Sequence, residues 1–239
     1  PELSAVIEDN QPIPPYSVLL GICEDGLPLL LNLNSARAGG VLLLGDQGIS
    51  NTYTLHQILY GATQIYTAQE IQIHLVSPHE LTLVGLASIP QIKTCFDPAH
   101  NYCDLLIDEL VNLVDSRQGQ IHTPPIHILA IDGLDILYKS IPVESQHQLE
   151  WLAKNGPEQG VFIFATLETN IVSAVPDELI NTFGSRMLGN IDNMEMGNFL
   201  SGGAGSELQT LNLDREALVQ SGNNLIRVTI PEIKFNTYS

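Results

Sequence analysis

Basic residues are scarce in this chain of 239 residues, which holds 9 Lys and Arg against 27 Asp and Glu. The formal net charge at pH 7 is therefore −18. Because Lys and Arg make the phosphate contacts that dominate nucleic-acid affinity, we expect this domain alone not to bind nucleic acid. The charge excess is typical of an acidic, soluble domain kept monomeric by self-repulsion, and an acidic face for a basic partner is the alternative.

Cysteines are few, and long apolar runs are missing. The three cysteines, Cys23, Cys95 and Cys103, form no C-x-x-C pair. An odd number of cysteines without a secretion signal indicates reduced thiols and a cytoplasmic location. No apolar run reaches the ~18–20 residues of a membrane-spanning helix. Because the chain starts at Pro1 without Met, we expect a longer parent protein, and the chain would also suit the soluble part of a membrane-anchored one.

Short apolar segments alternate with segments of helical spacing along most of the chain. The predicted strands are residues 18–22, 27–33, 41–44, 71–76, 126–131, 161–165, 186–191 and 225–230, and the predicted helices are 52–64, 99–117, 146–155 and 176–181. This alternation predicts an α/β fold with a central, mainly parallel sheet, covered on both faces. Residues 1–16 are predicted to be an extended lead-in, residues 17–239 a single domain, and 77–98 and 201–206 loops.

The predicted strand 41–44 leads through a short polar segment into the predicted helix 52–64. A strand, a glycine-containing turn and a helix are the setting in which a Walker A loop binds phosphate through backbone N–H groups. The residues of this vestigial phosphate loop are Gly45, Asp46, Gln47, Gly48, Ile49, Ser50, Asn51 and Thr52. Gly45 and Thr52 fit the pattern G-x-x-x-x-G-K-[ST], but Ser50 replaces the second Gly and Asn51 replaces Lys. An ordinary strand-to-helix turn is the alternative.

Residues 128–131 form an apolar run that ends in Asp132, which fits a Walker B strand. Its carboxylate would hold Mg²⁺ through water, so Thr52 and Asp132 are the candidate ligands of a weak magnesium site. The next position, at which hydrolysing members carry Glu, is Gly133. The alternative for Asp132 is a turn residue that caps the following segment.

Seven segments in order resemble the motor domain of FtsK/SpoIIIE-type DNA translocases of the HerA/FtsK superfamily. They are residues 18–33, with the hairpin turn Gly26-Leu27-Pro28, then 73–79, 105–117, 125–137, 152–166, 181–186 and 221–223. The resemblance covers residues 17–232. It implies a RecA-like P-loop domain of three layers with an N-terminal β-hairpin. It also implies ring assembly, in which an Arg of a neighbour completes each nucleotide site.

The departures from that family fall on the catalytic positions. Besides Asn51 and Gly133, they include Ser77 for Asp, His79 for Lys and Leu167 for Gln; Pro157 and Glu158 stand in the turn that contains Arg. Asp132, Thr166 and Arg186 match the family's pattern but would be vestigial. Phosphoryl transfer depends on positioned charge, so losing both Lys and Glu predicts negligible ATP turnover.

The resulting hypothesis is a catalytically degenerate domain that is not an enzyme and needs no cofactor. Its partners would be other domains or subunits of a larger FtsK-like translocation machine. We expect the isolated domain to be a monomer or weak dimer, with Arg186 a structural salt-bridge partner rather than a trans-acting finger. Two alternatives stay open: an ATP-dependent DNA translocase with non-standard Walker residues, and a module that binds Mg-ATP weakly without hydrolysis.

Overall fold

Ten strands form one sheet in the computed structural model, which describes residues 1–34, 39–78, 88–118, 124–213, 215–222 and 224–233. The strands are β1 (Ser17–Cys23), β2 (Pro28–Asn32), β3 (Val41–Gly45), β4 (Ile71–Val76), β5 (Ile92–Phe96), β6 (Ile126–Ile131), β7 (Val161–Glu168), β8 (Ser185–Leu188), β9 (Glu216–Ser221) and β10 (Asn224–Thr229). The helices of the described residues are α1 (Leu3–Asp9), α2 (Gly48–Ile65), α3 (Tyr102–Ser116), α4 (Leu134–Ser140), α5 (Val143–Asn155), α6 (Asp177–Ile180), α7 (Met194–Ser201) and α8 (Gly205–Leu208).

The order of strands across the sheet is β2-β1-β10-β9-β8-β3-β7-β6-β4-β5. The six strands from β8 to β5 are paired in parallel, and the other neighbours are antiparallel. The predicted α/β class, with its mainly parallel central sheet and the N-terminal hairpin of β1 and β2, is confirmed. None of the helices in the described part of the chain is long and apolar enough to cross a membrane.

Both faces of the sheet are covered, as the uninterrupted apolar runs predict. Leu42 and Leu44 of β3 belong to the core beneath α3 and α5, and Val41 and Leu43 to the core beneath α2. The α2 side of that second core consists of residues at helical spacing: Leu55, Ile58, Leu59 and Ala62. Two packed cores on one sheet give the three layers that the sequence predicts.

The lead-in was predicted to be extended, and that is wrong over α1. Leu3, Val6 and Ile7 have helical spacing and pack against Leu19 of β1, although the later prolines favour an extended chain. The division into lead-in and single domain stays a prediction. Strands β5 and β9 lie where none was predicted. Strand β5 lies at the edge of the sheet and is only partly buried, so it can contain the polar residues Lys93 and Thr94. These residues interrupt the apolar pattern by which a strand is predicted.

The remaining differences concern short helices, one strand and two motif residues. The short helix α4 was not predicted, and the predicted loop 201–206 contains the end of α7 and the start of α8. The predicted strand 186–191 is the shorter β8. The predictions for His79 and Asn223 lie outside the described residues.

Candidate functional site at the carboxyl ends of the parallel strands

Asp132 follows β6 and is buried, with 2% of its surface exposed. Three hydroxyl groups donate to its carboxylate. Thr52 Oγ1 and Thr166 Oγ1 donate to Oδ1 at 2.6 and 3.0 Å, and Ser77 Oγ donates to Oδ2 at 2.8 Å. The donors come from α2, from β7 and from the end of β4. The structure thus brings together Thr52, Asp132 and Thr166 and adds Ser77, so both carboxylate oxygens accept hydrogen bonds from the protein.

From the Walker motifs, we expect the loop 45–52 and Asp132 to lie on adjacent strand ends; that expectation is wrong, because β7 lies between β3 and β6. Thr166 of β7 fills the gap between them, and its Oγ1 also accepts a hydrogen bond from the backbone N–H of Gly133 at 2.8 Å. Helix α2 packs on β7 as well as on β3. This packing carries Thr52 across the intervening strand to Asp132.

Helix α2 begins at Gly48, four residues before the predicted start at Thr52. The backbone N–H of Asn51 donates to Gln47 O at 3.3 Å. A backbone N–H that closes a helical turn is not available to cradle a phosphate. In place of the predicted loop 45–52, the structure therefore has a link of two residues, Asp46 and Gln47, followed by the first turns of α2.

Asn51, at the position of the Walker A Lys, turns back over the end of β3. Its side chain is 5% exposed, and Nδ2 donates to Gly45 O at 3.4 Å. A Cβ on Gly45 would lie 2.9 Å from Asn51 Oδ1. Gly45 therefore accommodates a neutral side chain of the protein itself, and the position supplies no positive charge.

Asp46, the first residue of the two-residue link between β3 and α2, is hydrogen-bonded to two other parts of the fold. Thr169 Oγ1 donates to Asp46 Oδ1, and the backbone N–H of Asp192 donates to Oδ2 at 2.7 Å. The backbone N–H of Asp46 donates to Asn190 O at 3.1 Å. A carboxylate therefore stands close to the positive end of α2, where it is favourable for the helix and opposes a second anion such as phosphate.

A cleft of about 190 Å³ opens beside Asp132. The described residues that line it include three carboxylates, Asp132, Asp135 and Glu168, but neither Lys nor Arg. Asp135 forms a salt bridge with Lys139 of α4, with 3.3 Å between Asp135 Oδ2 and Lys139 Nζ. The Lys139 side chain is exposed. Ligand pockets of drug size usually measure about 300–1,000 Å³. The cleft is thus smaller than a usual ligand pocket, and the described part of its lining is acidic.

A second space beside Gly45 and Asn51 measures about 20 Å³, room for roughly one water. The two residues predicted as magnesium ligands are in direct contact, because Thr52 Oγ1 donates to the Asp132 carboxylate at 2.6 Å. Within the described residues, no group of three or more His, Cys, Asp or Glu side chains is placed to hold a metal ion.

The position of the hydrolytic Glu is occupied by Gly133 for a structural reason. Gly133 has a φ of 91°, and an added Cβ would lie 2.9 Å from Ile136 Cδ1. Residues other than glycine rarely adopt this backbone conformation. Leu167, at the family's Gln position, is buried in the core beneath α3 and α5. Neither position presents a polar side chain to the cleft.

Arg186 lies away from these residues. It pairs with Leu42 in β3, three residues before the strand ends at Gly45, which is about 10 Å along a parallel strand. Its Nη2 donates to Asn181 Oδ1 at 3.1 Å. The expectation of a structural salt bridge is wrong, because among the described residues Arg186 has no ionic partner.

Sequence reasoning missed one residue of the site and the role of another. Ser77 replaces the family's Asp, and its position directly after β4 is the signal that it faces this edge of the sheet. Asp46 belongs to the predicted phosphate loop, but its hydrogen bonds gave no signal, because its partners, Thr169 and Asp192, are far away in the sequence.

The sheet order and the strand, turn and helix at residues 41–65 match the fold of solved FtsK-type P-loop ATPase domains. The resemblance found in the sequence is therefore confirmed at the level of the fold. No protein-family model matches the chain, and no curated protein matches it.

Several solved ATPase structures have a fold similar to that of this chain. EssC (ATPases 2 and 3) from Geobacillus thermodenitrificans has a TM-score of 0.73 and 15% identity, over 95% of this chain and 49% of that one. The cytoplasmic domain of the Thermomonospora curvata type VII secretion ATPase EccC has a TM-score of 0.74 and 14% identity, over 99% and 33%. The pCW3 conjugation coupling protein TcpA has a TM-score of 0.73 and 14% identity, over 92% and 67%. The chain spans half or less of the EssC and EccC structures, and the low identities show the fold alone.

Proposed function

We propose that this domain is a catalytically degenerate FtsK/SpoIIIE-like P-loop ATPase domain that serves as a structural or regulatory module of a larger translocation machine. The observation that carries the proposal is the start of α2 at Gly48. Because the helix begins there, the backbone N–H of Asn51 already donates to Gln47 O, and the Asn51 side chain covers the strand end.

The chemistry of the remaining groups supports the same conclusion. Phosphoryl transfer is catalysed by positioned cations and by a group that orients the attacking water. Here the Lys position is Asn51, the Glu position is Gly133, and the described lining of the cleft is acidic. Each 1.36 kcal/mol of lost transition-state stabilisation lowers the rate tenfold, so losing both groups leaves negligible turnover.

The compared structures support a role within a larger protein. One is described as holding ATPases 2 and 3, and this chain covers 49% of it. This chain therefore corresponds in length to one of two ATPase domains. A domain with an intact core could pack against other ATPase domains of a longer protein. Its contribution would be a rigid surface rather than a catalytic step.

Retention of Thr52 in direct contact with Asp132 favours a second candidate function, a module that binds Mg-nucleotide without hydrolysing it. In that case, Thr52 Oγ1 would offer a lone pair to the metal ion while it still donates to Asp132. Because Asn51 supplies no positive charge to the phosphates, binding would be weak.

Isothermal titration of the purified chain with Mg-ATP tests both candidates, with a working P-loop ATPase titrated in parallel. We expect no saturable heat up to millimolar ATP and no release of phosphate. Thr52→Val removes the hydroxyl at nearly constant volume and is the matched variant. Saturable binding that this variant abolishes, without turnover, would establish the second candidate. Turnover abolished by Asp132→Asn would refute the proposal and revive an active translocase.

A further inference from the structure

A cleft of about 260 Å³ lies at the amino end of β8. Asp132 lies at the opposite edge of the sheet, where the parallel strands end. The lining of the cleft is Phe183, Gly184, Arg186, Gln220 and Gly222. Arg186 and Gln220 are direct partners across β8 and β9, so their side chains stand side by side on one face. At the rim, Gly222 has a φ of 61°, and an added Cβ would meet nothing within 4 Å, so the cleft is open there.

The polar groups of this cleft have spare hydrogen-bonding capacity. A guanidinium carries five N–H donors, and in the described structure that of Arg186 uses one, towards Asn181. It has no ionic partner among the described residues, although the chain holds 27 acidic residues against 9 basic ones. The buried Gln220 Oε1 has no hydrogen-bond partner among the described residues. The same amide also carries an NH₂ group with two donors beside Arg186.

We propose that this cleft binds a carboxylate carried by a partner polypeptide. The planar fork of Arg186 matches the two oxygens of a carboxylate, and the Gln220 amide supplies a further donor beside it. The wall formed by Phe183 suits the aliphatic stem of an acidic side chain or of a chain end. The volume, below that of a drug-sized pocket, suits a single side chain.

The same features disfavour a phosphorylated partner. Recognition of a phosphate group normally uses a cluster of Arg residues, whereas the described lining offers one cation. The net charge of −18 adds a general repulsion that grows with the charge of the ligand. A group with a single negative charge is therefore the better match. The cleft shares no residue with the Asp132 site, so this inference holds whether or not nucleotide binds there.

The test follows the side-chain Nε–Hε resonance of Arg186 by NMR in the ¹⁵N-labelled chain, at pH 7 and physiological salt. The probes are N-acetylglycine, which carries a C-terminal carboxylate, and N-acetyl-aspartic acid α-amide, which carries a side-chain carboxylate. N-acetylglycinamide is the uncharged control, and inorganic phosphate is the competing anion. We expect a saturable shift with one or both carboxylates, and the tighter of the two identifies the source of the natural group.

Variants separate the cleft from general charge effects. Arg186→Lys, which keeps the charge but loses the fork, should weaken carboxylate binding about tenfold, as measured by the remaining cleft resonances. Gln220→Glu places a carboxylate across from Arg186 and should block the cleft from within. Arg215→Gln is the matched control, because Arg215 is an exposed arginine already paired with Glu232 at 2.6 Å; it should leave binding unchanged.

Four results would overturn the proposal. They are the absence of a saturable shift with either carboxylate, an equal shift with N-acetylglycinamide, tighter binding of phosphate than of the carboxylates, and undiminished binding by Gln220→Glu. The folded state of each variant is checked by its backbone amide spectrum. Because the Arg186 side chain makes a single hydrogen bond within the described structure, to Asn181, we expect its variants to fold as the parent chain does.

Discussion

Acidification from pH 7 to pH 5 should destabilise this domain through two buried histidines. His74 of β4 and His127 of β6 are stacked, with ring centroids 5.5 Å apart and 3.2 Å between His74 Nε2 and His127 Nδ1. Burial lowers the pKa of His74 to about 4, with a smaller effect of Lys93. Burial also lowers the pKa of His127 to about 3, with smaller effects of His74 and Arg117. Both rings are therefore neutral in the folded chain at pH 5.

The magnitude follows from proton linkage. In the unfolded chain, histidine titrates near pH ~6.5, so at pH 5 both side chains are protonated there, whereas in the folded chain neither is. Because the folded pKa values lie below the unfolded one, the stabilisation is complete above pH ~6.5 and is lost as the pH falls. Between pH 7 and pH 5 the loss is about 2 kcal/mol per histidine, or about 4 kcal/mol for the pair. That is a large share of a typical stability of about 5–15 kcal/mol.

Urea unfolding at pH 7, 6 and 5, followed by circular dichroism, measures this loss. The double variant His74→Leu, His127→Leu replaces both rings by apolar side chains and should lose most of the pH dependence in this window. The control is His147→Leu, which removes an exposed histidine of α5 and should keep it. Equal stability of the parent chain at pH 7 and pH 5, or an unchanged pH dependence in the double variant, would refute the reasoning.

The remaining predictions concern the site and the surface. Asp132→Ala leaves three buried hydroxyl donors without their acceptor and should lower the free energy of unfolding by about 3 kcal/mol; urea unfolding measures it, and an unchanged midpoint would contradict it. Gly133→Ala should cost about 1–3 kcal/mol, because φ is 91° and the new Cβ meets Ile136; a stability equal to the parent's would show that the turn relaxes. At micromolar protein and physiological salt, we expect no gel shift of duplex DNA, and a shift lost steeply with added salt would disprove this. Sedimentation velocity at tens of micromolar should show a monomer or weak dimer with or without Mg-ATP, and a hexamer lost in Arg186→Ala would establish a working ring.

The sequence by itself determined the class of fold and the residue types at the Walker positions. The apolar strands and the helical spacing of Leu55, Ile58 and Leu59 are local patterns, and each is legible without the rest of the chain. The presence of Asn51 and Gly133 at the motif positions is equally local, because a motif is defined by residue type and spacing. Interrupted or short segments, such as α1 and β5, were missed because their burial depends on what packs beside them.

Only the tertiary structure decided what the site looks like. The partners of Asp132 are 80, 55 and 34 residues away in the sequence, and those of Asp46 are 123 and 146 residues away. No local pattern encodes such hydrogen bonds, because they depend on which strands become neighbours in the sheet. The early start of α2 is of the same kind: Asn51 turns back over Gly45, and the remote partners of Asp46 hold the link that precedes the helix. The sheet order that creates these contacts also leaves Arg186 and Gln220 side by side at its other end, without an ionic partner in the described structure.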